Sequence, residues 1–219
     1  MSLAHGGVLF LDELAEFGRQ ALEALRQPLE DGRVAVARAR DVLEYPARFL
    51  LVAATNPCPC GWRGHPRRDC LCTPPAVSRY LSRLSGPLLD RVDIQVEMAP
   101  IEFGQWAQSH PAESPETSGE VLSRVLEARR LQRERFDSSD FAVNAYIPQR
   151  DLRRHAALDR EGLQILEEVA RAMGLSARSL DRVLKVARTI ADLAASPRVT
   201  AAHLAEAVQY RSLDRLSRI

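Results

Sequence analysis

Two short apolar runs, each ending abruptly in polar groups, constrain this 219-residue chain more than any other feature. The first is Val8 to Leu11 in "GGVLFLDELAEF", which runs into the adjacent acids Asp12 and Glu13. The second is "FLLVAATNP", which closes on Thr55 and Asn56. Four to six apolar residues bounded by turn formers read as buried strands of a parallel sheet. In open α/β sheets, ligands bind outside the carboxyl ends of such strands. Two strands that deliver carboxylates and an amide to that edge suggest a polar site.

The intervening and following segments fill in an α/β part. "GRQALEALRQPLE" predicts a helix over 18–30, with Pro28 marking a nearby end. "DGRVAVARARDVLEYPARF" predicts a hairpin over 33–45, with Arg38 and Arg40 near its turn. "PAVSRYLSRLSGPLLDRV" predicts a helix, a break at Gly86-Pro87 and a short turn, and "DIQVEM" a third strand. From 100 to 118 the composition shifts to Pro, Ser, Glu and Gln, as in a linker. Beyond it the pattern is helical, near 119–136, 148–157, 160–173, 176–195 and 200–210. The apolar stripe there comprises Leu163, Leu166, Val169, Leu180, Val183, Leu184, Val186, Ile190 and Leu193. The expected domains are 1–99, the linker 100–118, and 119–219.

The formal net charge is +1, so no global field demands a polyanion. Lys185 is the only lysine, so the basic chemistry is almost all guanidinium. No apolar run approaches twenty residues and no signal peptide is evident, so the expectation is a cytoplasmic protein without a membrane partner.

All four cysteines fall in "CPCGWRGHPRRDCLC": Cys58-x-Cys60, nine residues, then Cys70-x-Cys72. Paired thiolates at both ends of a short polar loop (56–75) suit tetrahedral, structural Zn²⁺. Disulfides and unrelated thiols are the alternatives, and His65 is a further candidate ligand. Arg63, Arg67 and Arg68 surround the loop with Trp62 beside them, so these arginines are candidate DNA-backbone contacts, alongside a simple solvated loop.

An acid pair after an apolar strand suits nucleotide hydrolysis. The first acid would hold Mg²⁺ and the second would orient or deprotonate water. Helix capping by the same acids is the plainer alternative. Asn56 would bond a γ-phosphate or position water; an Asn-Pro turn is the alternative. Arg91 in "GPLLDR" and Arg178 in "LSARSLDRVLKVAR" are candidate phosphate contacts; a surface ion pair between Asp90 and Arg91, and a solvated helix-face arginine at 178, are the alternatives.

"VLFLDE", "LEALRQPLEDGRVAVARA", "YPARFLLVAATNPCPCG", "CTPPAVSRYLSRLSGPLLDRVDI" and "LSARSLDRVLKVARTIADL" together resemble the magnesium-chelatase-like AAA+ ATPases of the ComM/YifB type, from Ser2 to Arg215. The resemblance implies an AAA+ P-loop NTPase core, beginning at its Walker B strand, followed by an all-α lid and C-terminal domain. It implies that Asp12 coordinates Mg²⁺, Glu13 is the catalytic carboxylate, Asn56 is sensor 1, Arg91 an arginine finger and Arg178 sensor 2. It implies ATP and Mg²⁺ as cofactors and makes Arg38 and Arg40 of the hairpin candidate DNA contacts. It implies DNA branch migration during natural transformation, by a homo-oligomeric ring resembling hexameric helicases. No GxxxxGK[ST] phosphate loop occurs in the sequence, and only seven residues precede Val8. The expectation is therefore a C-terminal portion of such a motor, inactive on ATP by itself. A non-catalytic zinc-bearing DNA- or partner-binding module and a magnesium-chelatase subunit are the alternatives.

Overall fold

The structure is a computed structural model that describes residues 1–38, 41–100, 116–136 and 143–211. The chain packs as two compact units, Met1–Val92 and the residues from Asp93 on.

The first unit is built on two parallel strands, β1 (Val8–Leu11) and β4 (Leu50–Ala53), with Val8 opposite Leu50 and Leu11 opposite Ala53. The ladder extends past both ends. Leu50 N donates to Gly7 O at 2.9 Å, Ala54 N to Leu11 O at 2.9 Å, and Leu14 N to Ala54 O at 2.8 Å. Between them lie helices α1 (Arg19–Ala24) and α2 (Arg26–Asp31) and the antiparallel hairpin β2 (Arg33–Arg38) and β3 (Asp41–Pro46). Helices α3 (Pro74–Leu81) and α4 (Gly86–Leu89) close the unit.

The single helix expected over 18–30 is two helices. Proline cannot donate to the preceding turn, and its ring clashes with the carbonyl four residues back. For Pro28 that residue is Ala24, where α1 ends. Gly32 then caps α2 at φ 68°, where a side chain would be strained.

β1 is not buried on both faces as expected. Leu9 and Leu11 pack against a core of Leu14, Leu22, Leu25, Tyr80, Leu84 and Leu88. Residues paired in a parallel ladder share a face, so Val8, Phe10, Leu50 and Val52 form the other one. All four are exposed.

The third strand expected at 93–98 does not form. Gln95 makes one parallel bridge to Arg211, with its amide donating to Tyr210 O at 2.8 Å. Ile94, Val96 and Met98 keep the period-two pattern but stay exposed. A strand needs a ladder, and this segment is fastened to the helical unit instead.

That second unit comprises α5 (Ser118–Phe136), α6 (Gln149–His155), α7 (Arg160–Met173), α8 (Ala177–Leu193) and α9 (Ala201–Gln209). Asp159 caps α7 by accepting from Gly162 N at 2.8 Å, and Ser176 caps α8 by accepting from Ser179 N at 3.1 Å. Phe136, Ile147, Leu152, Val183, Val186 and Leu204 centre the core. Of the expected stripe, Leu163 and Leu193 are exposed rather than packed. No described helix is long and apolar enough to cross a membrane.

A buried charge network holds this unit. The Asp192 side chain is wholly buried and pairs with Arg135 and Arg188. Asn144 Nδ2 donates to Asp192 Oδ2 at 2.7 Å, and Arg188 Nη2 also donates to Ser196 O at 2.6 Å. Burial alone would raise the Asp192 pKa, but bonds from Arg135 and Asn144 and the charge of Arg188 outweigh it and hold the group below 3.8. Removing one partner of a buried pair costs about 3–5 kcal/mol, because the other charge stays buried. Asp192→Asn should therefore lower unfolding stability by about that much in urea titrations followed by circular dichroism. Arg171→Ala, which removes an exposed pair with Glu167, should change it little. A native pKa below the unfolded value means this stabilisation is full above the ordinary carboxylate range. It is lost as pH falls through the depressed value, so the acid limb should be shallower in Asp192→Asn.

Candidate nucleotide and metal sites

The parallel pairing brings the sequence's two polar strand ends side by side. Asp12 follows the last residue of β1, and Asn56 lies three residues past the last of β4; all of Asp12, Glu13 and Asn56 are exposed. The Asp12 carboxylate does not cap a long helix. Its Oδ1 accepts from the Glu13 amide at 2.9 Å. Glu13 adopts the left-handed conformation, φ 50° and ψ 48°. Few non-glycine residues do so, and strain of this kind concentrates at functional sites. The strand therefore ends at Leu11 and the chain turns at Glu13 into the short helical turn Leu14–Glu16. Nothing in the sequence signalled it, since glycine or asparagine is the usual marker.

Arg91 is not in the surface ion pair that its plainer alternative required. Its side chain is 6% exposed and pairs with Glu30, while Nη1 donates to Pro87 O at 2.5 Å. Its Nε is buried without a hydrogen-bond partner. Sequence reasoning missed Glu30, which lies 61 positions away and carries no local mark. Arg178 is exposed in the first turn of α8, in the helical unit. Arg38 is the last residue of β2, opposite Asp41; its side chain and Arg40 lie outside the described residues.

The four cysteines converge. The sulfurs of Cys58, Cys60, Cys70 and Cys72 all lie within 4.8 Å of one another. Cys58 is 3.4 Å from Cys60 and 3.6 Å from Cys70, and Cys60 is 3.6 Å from Cys70. All four are free thiols. A tetrahedron of Zn–S bonds sets sulfurs about 3.8 Å apart, whereas a disulfide brings two to about 2 Å. The separations fit a metal and not bridges. His65 is not in the cluster: its Nδ1 accepts from Arg67 N at 3.2 Å. The main-chain amide of Trp62 holds the Cys60 thiol down at about 6, while the bond from Cys60 pushes Cys72 up to about 12. Such a split is expected where neighbouring thiols share hydrogen bonds. The loop also reaches the first site, since a Cβ on Gly61 would sit 3.9 Å from Asn56 Oδ1.

Purified without chelator, the chain should carry one equivalent of tightly bound metal per monomer by elemental analysis. Cys60→Ser or Cys70→Ser should bring it below half an equivalent and open the loop to protease cleavage.

Comparison with known proteins gives the family. The family model described as magnesium chelatase, subunit ChlI, matches residues 1–106, and that of the ChlI C-terminal region matches residues 115–211. Competence protein ComM of Haemophilus influenzae is 43% identical over 217 residues, covering 99% of this chain and 41% of that protein. The YifB proteins of Escherichia coli and Salmonella typhimurium are 46% and 43% identical over the same shares. The chain thus spans about two-fifths of the length of the curated relatives it matches. Matched along nearly all of its length, the chain belongs to the magnesium-chelatase-like AAA+ family, in the branch that holds ComM and YifB.

Proposed function

We propose that this chain is the catalytic-carboxylate, sensor and lid portion of an AAA+ motor that couples ATP hydrolysis to DNA remodelling. The observation that supports the reading is the parallel pairing of β1 with β4, whose carboxyl ends lead at one sheet edge into Asp12 and, three residues past β4, Asn56. The name of the Haemophilus relative, a competence protein, favours DNA taken up by cells as the substrate.

Asp12 holds a magnesium ion that neutralises phosphate charge, and Glu13 takes the proton of the attacking water. Asn56 fixes the γ-phosphate or that water by hydrogen bonds. Arg91 serves the nucleotide of the adjacent subunit in a homo-oligomeric ring, of six subunits in this reading. To do so its guanidinium must leave Glu30, so ring closure exchanges an internal carboxylate for an external phosphate. Arg178, at the start of α8, is the sensor 2 arginine in this reading. The four thiolates hold Zn²⁺ with no open position, so the metal is structural and braces the loop beside Asn56. This reading needs a phosphate loop from outside these 219 residues, which hold no GxxxxGK[ST].

The 219-residue chain should show no ATP turnover above background. Joined to the upstream part of a YifB relative, it should hydrolyse ATP. Glu13→Gln should then abolish turnover while nucleotide binding persists, and Arg91→Ala should reduce turnover by about 10³-fold or more. Turnover in the joined protein that survives Glu13→Gln would refute the assignment. A second reading, a metal-bearing DNA-binding module without chemistry, has the well-formed cysteine cluster in its favour, and DNA binding without any turnover in the joined protein would support it.

A further inference from the structure

The cysteine loop carries an arrangement that clustering of its thiols does not need. The guanidinium of Arg68 lies 3.9 Å over the ring of Trp62. His65 meets the same ring edge-on, at 5.0 Å and 81°. His65 N donates to Trp62 O at 3.1 Å, and Arg67 N donates to His65 Nδ1 at 3.2 Å. That last bond makes Nδ1 an acceptor, so Nε2 carries the proton. The stack is therefore braced on two sides by the loop's own main chain.

Its ends are fixed as well. Cys58 and Cys60 pin one limb and Cys70 and Cys72 the other. Between Gly61 and Asp69 the loop holds Arg63, Arg67 and Arg68 against a single carboxylate, Asp69. Arg63, Arg67 and Arg68 are exposed while Trp62 is half-buried beneath Arg68. A flat cation laid on an indole, fixed in place and flanked by further cations, has one evident ligand. Unpaired bases stack on guanidinium planes and aromatic rings, and their phosphates pair with neighbouring arginines. Bases in a duplex offer no free face, so a stacking platform discriminates against it.

We propose that the outer face of the Arg68–Trp62 stack binds an unpaired base of single-stranded DNA, with Arg63 and Arg67 on the flanking phosphates. This rests on the reading of the protein as one that acts on DNA, and it names the strand form the loop selects. The metal cluster is the device that holds the platform flat. Arg68 needs to be arginine rather than any cation, because a lysine ammonium keeps the charge but has no plane to stack.

The test uses the 219-residue chain as it stands, with metal content measured for each sample. A fluorescent oligothymidylate and a duplex of equal length are titrated at about 0.1 M salt and followed by anisotropy. The single strand should bind at least tenfold tighter than the duplex and quench tryptophan emission. Arg68→Lys and Trp62→Leu should each weaken single-strand binding on the order of tenfold, leaving metal content and duplex binding unchanged. Trp62→Leu should also abolish the quenching. Arg68→Lys binding the single strand like the unaltered chain would overturn the proposal, because the contact would then be charge alone. Equal affinity for duplex and single strand would overturn it too. In either case DNA is still bound and the motor reading stands; no binding of either form would count against both.

Discussion

The parallel ladder between β1 and β4 is the constraint from which the rest of the first unit follows. Side chains alternate along a strand, so a shift of one residue would turn every one of them over. In the observed register Leu9 and Leu11 face the core of Leu22, Tyr80 and Leu88, and Val8 and Phe10 lie on the open face. The same register sets Asp12 and Asn56 at adjacent strand ends. Packing and chemistry are thus fixed together: the apolar residues choose the register, and the register delivers the polar groups. The exposed Val8, Phe10, Leu50 and Val52 are the counterpart of that choice. They form a sheet face with the composition of a core and the accessibility of a surface.

Arginine carries much of the specific bonding in both units. Arg91 is enclosed and paired with Glu30, and Arg188 and Arg135 enclose Asp192. Buried charges of this kind add little net stability over apolar packing, but they penalise any arrangement that separates them. Arg182 pairs with Asp93 at the start of the helical unit, while Arg91 is paired within the first. The planar, always-charged guanidinium suits these sites in a way lysine does not.

Much of this was legible in the sequence because it depends on local patterns. The apolar runs ending in Asp12 and Asn56, the alternation of the hairpin, the helical periodicity beyond 118 and the cysteine spacing each reflect interactions within a few residues. What was not legible depends on partners distant in the chain. "DIQVEM" has strand character, but no described strand offers it an edge, so only Gln95 makes a bridge. The break at Leu25 was readable in principle, since Pro28 dictates it, yet the apolar spacing of Ala21, Leu22, Leu25 and Leu29 masks it. The pairing of Arg91 with Glu30 and the assembly around Asp192 join residues about sixty positions apart, with nothing local to announce them. The kink at Glu13 is the instructive case. The two acids were plain, but the turn between them and the next helical turn runs through a left-handed residue that the letter E does not advertise.

The most direct test of the account is the register itself, read by amide cross-relaxation in isotopically labelled protein. The expected result is main-chain contact between Leu11 and Ala53, with a slowly exchanging Ala54 amide held by the Leu11 carbonyl. An antiparallel ladder would carry Asp12 and Asn56 to opposite edges of the sheet, leave no common edge for a nucleotide and contradict the account.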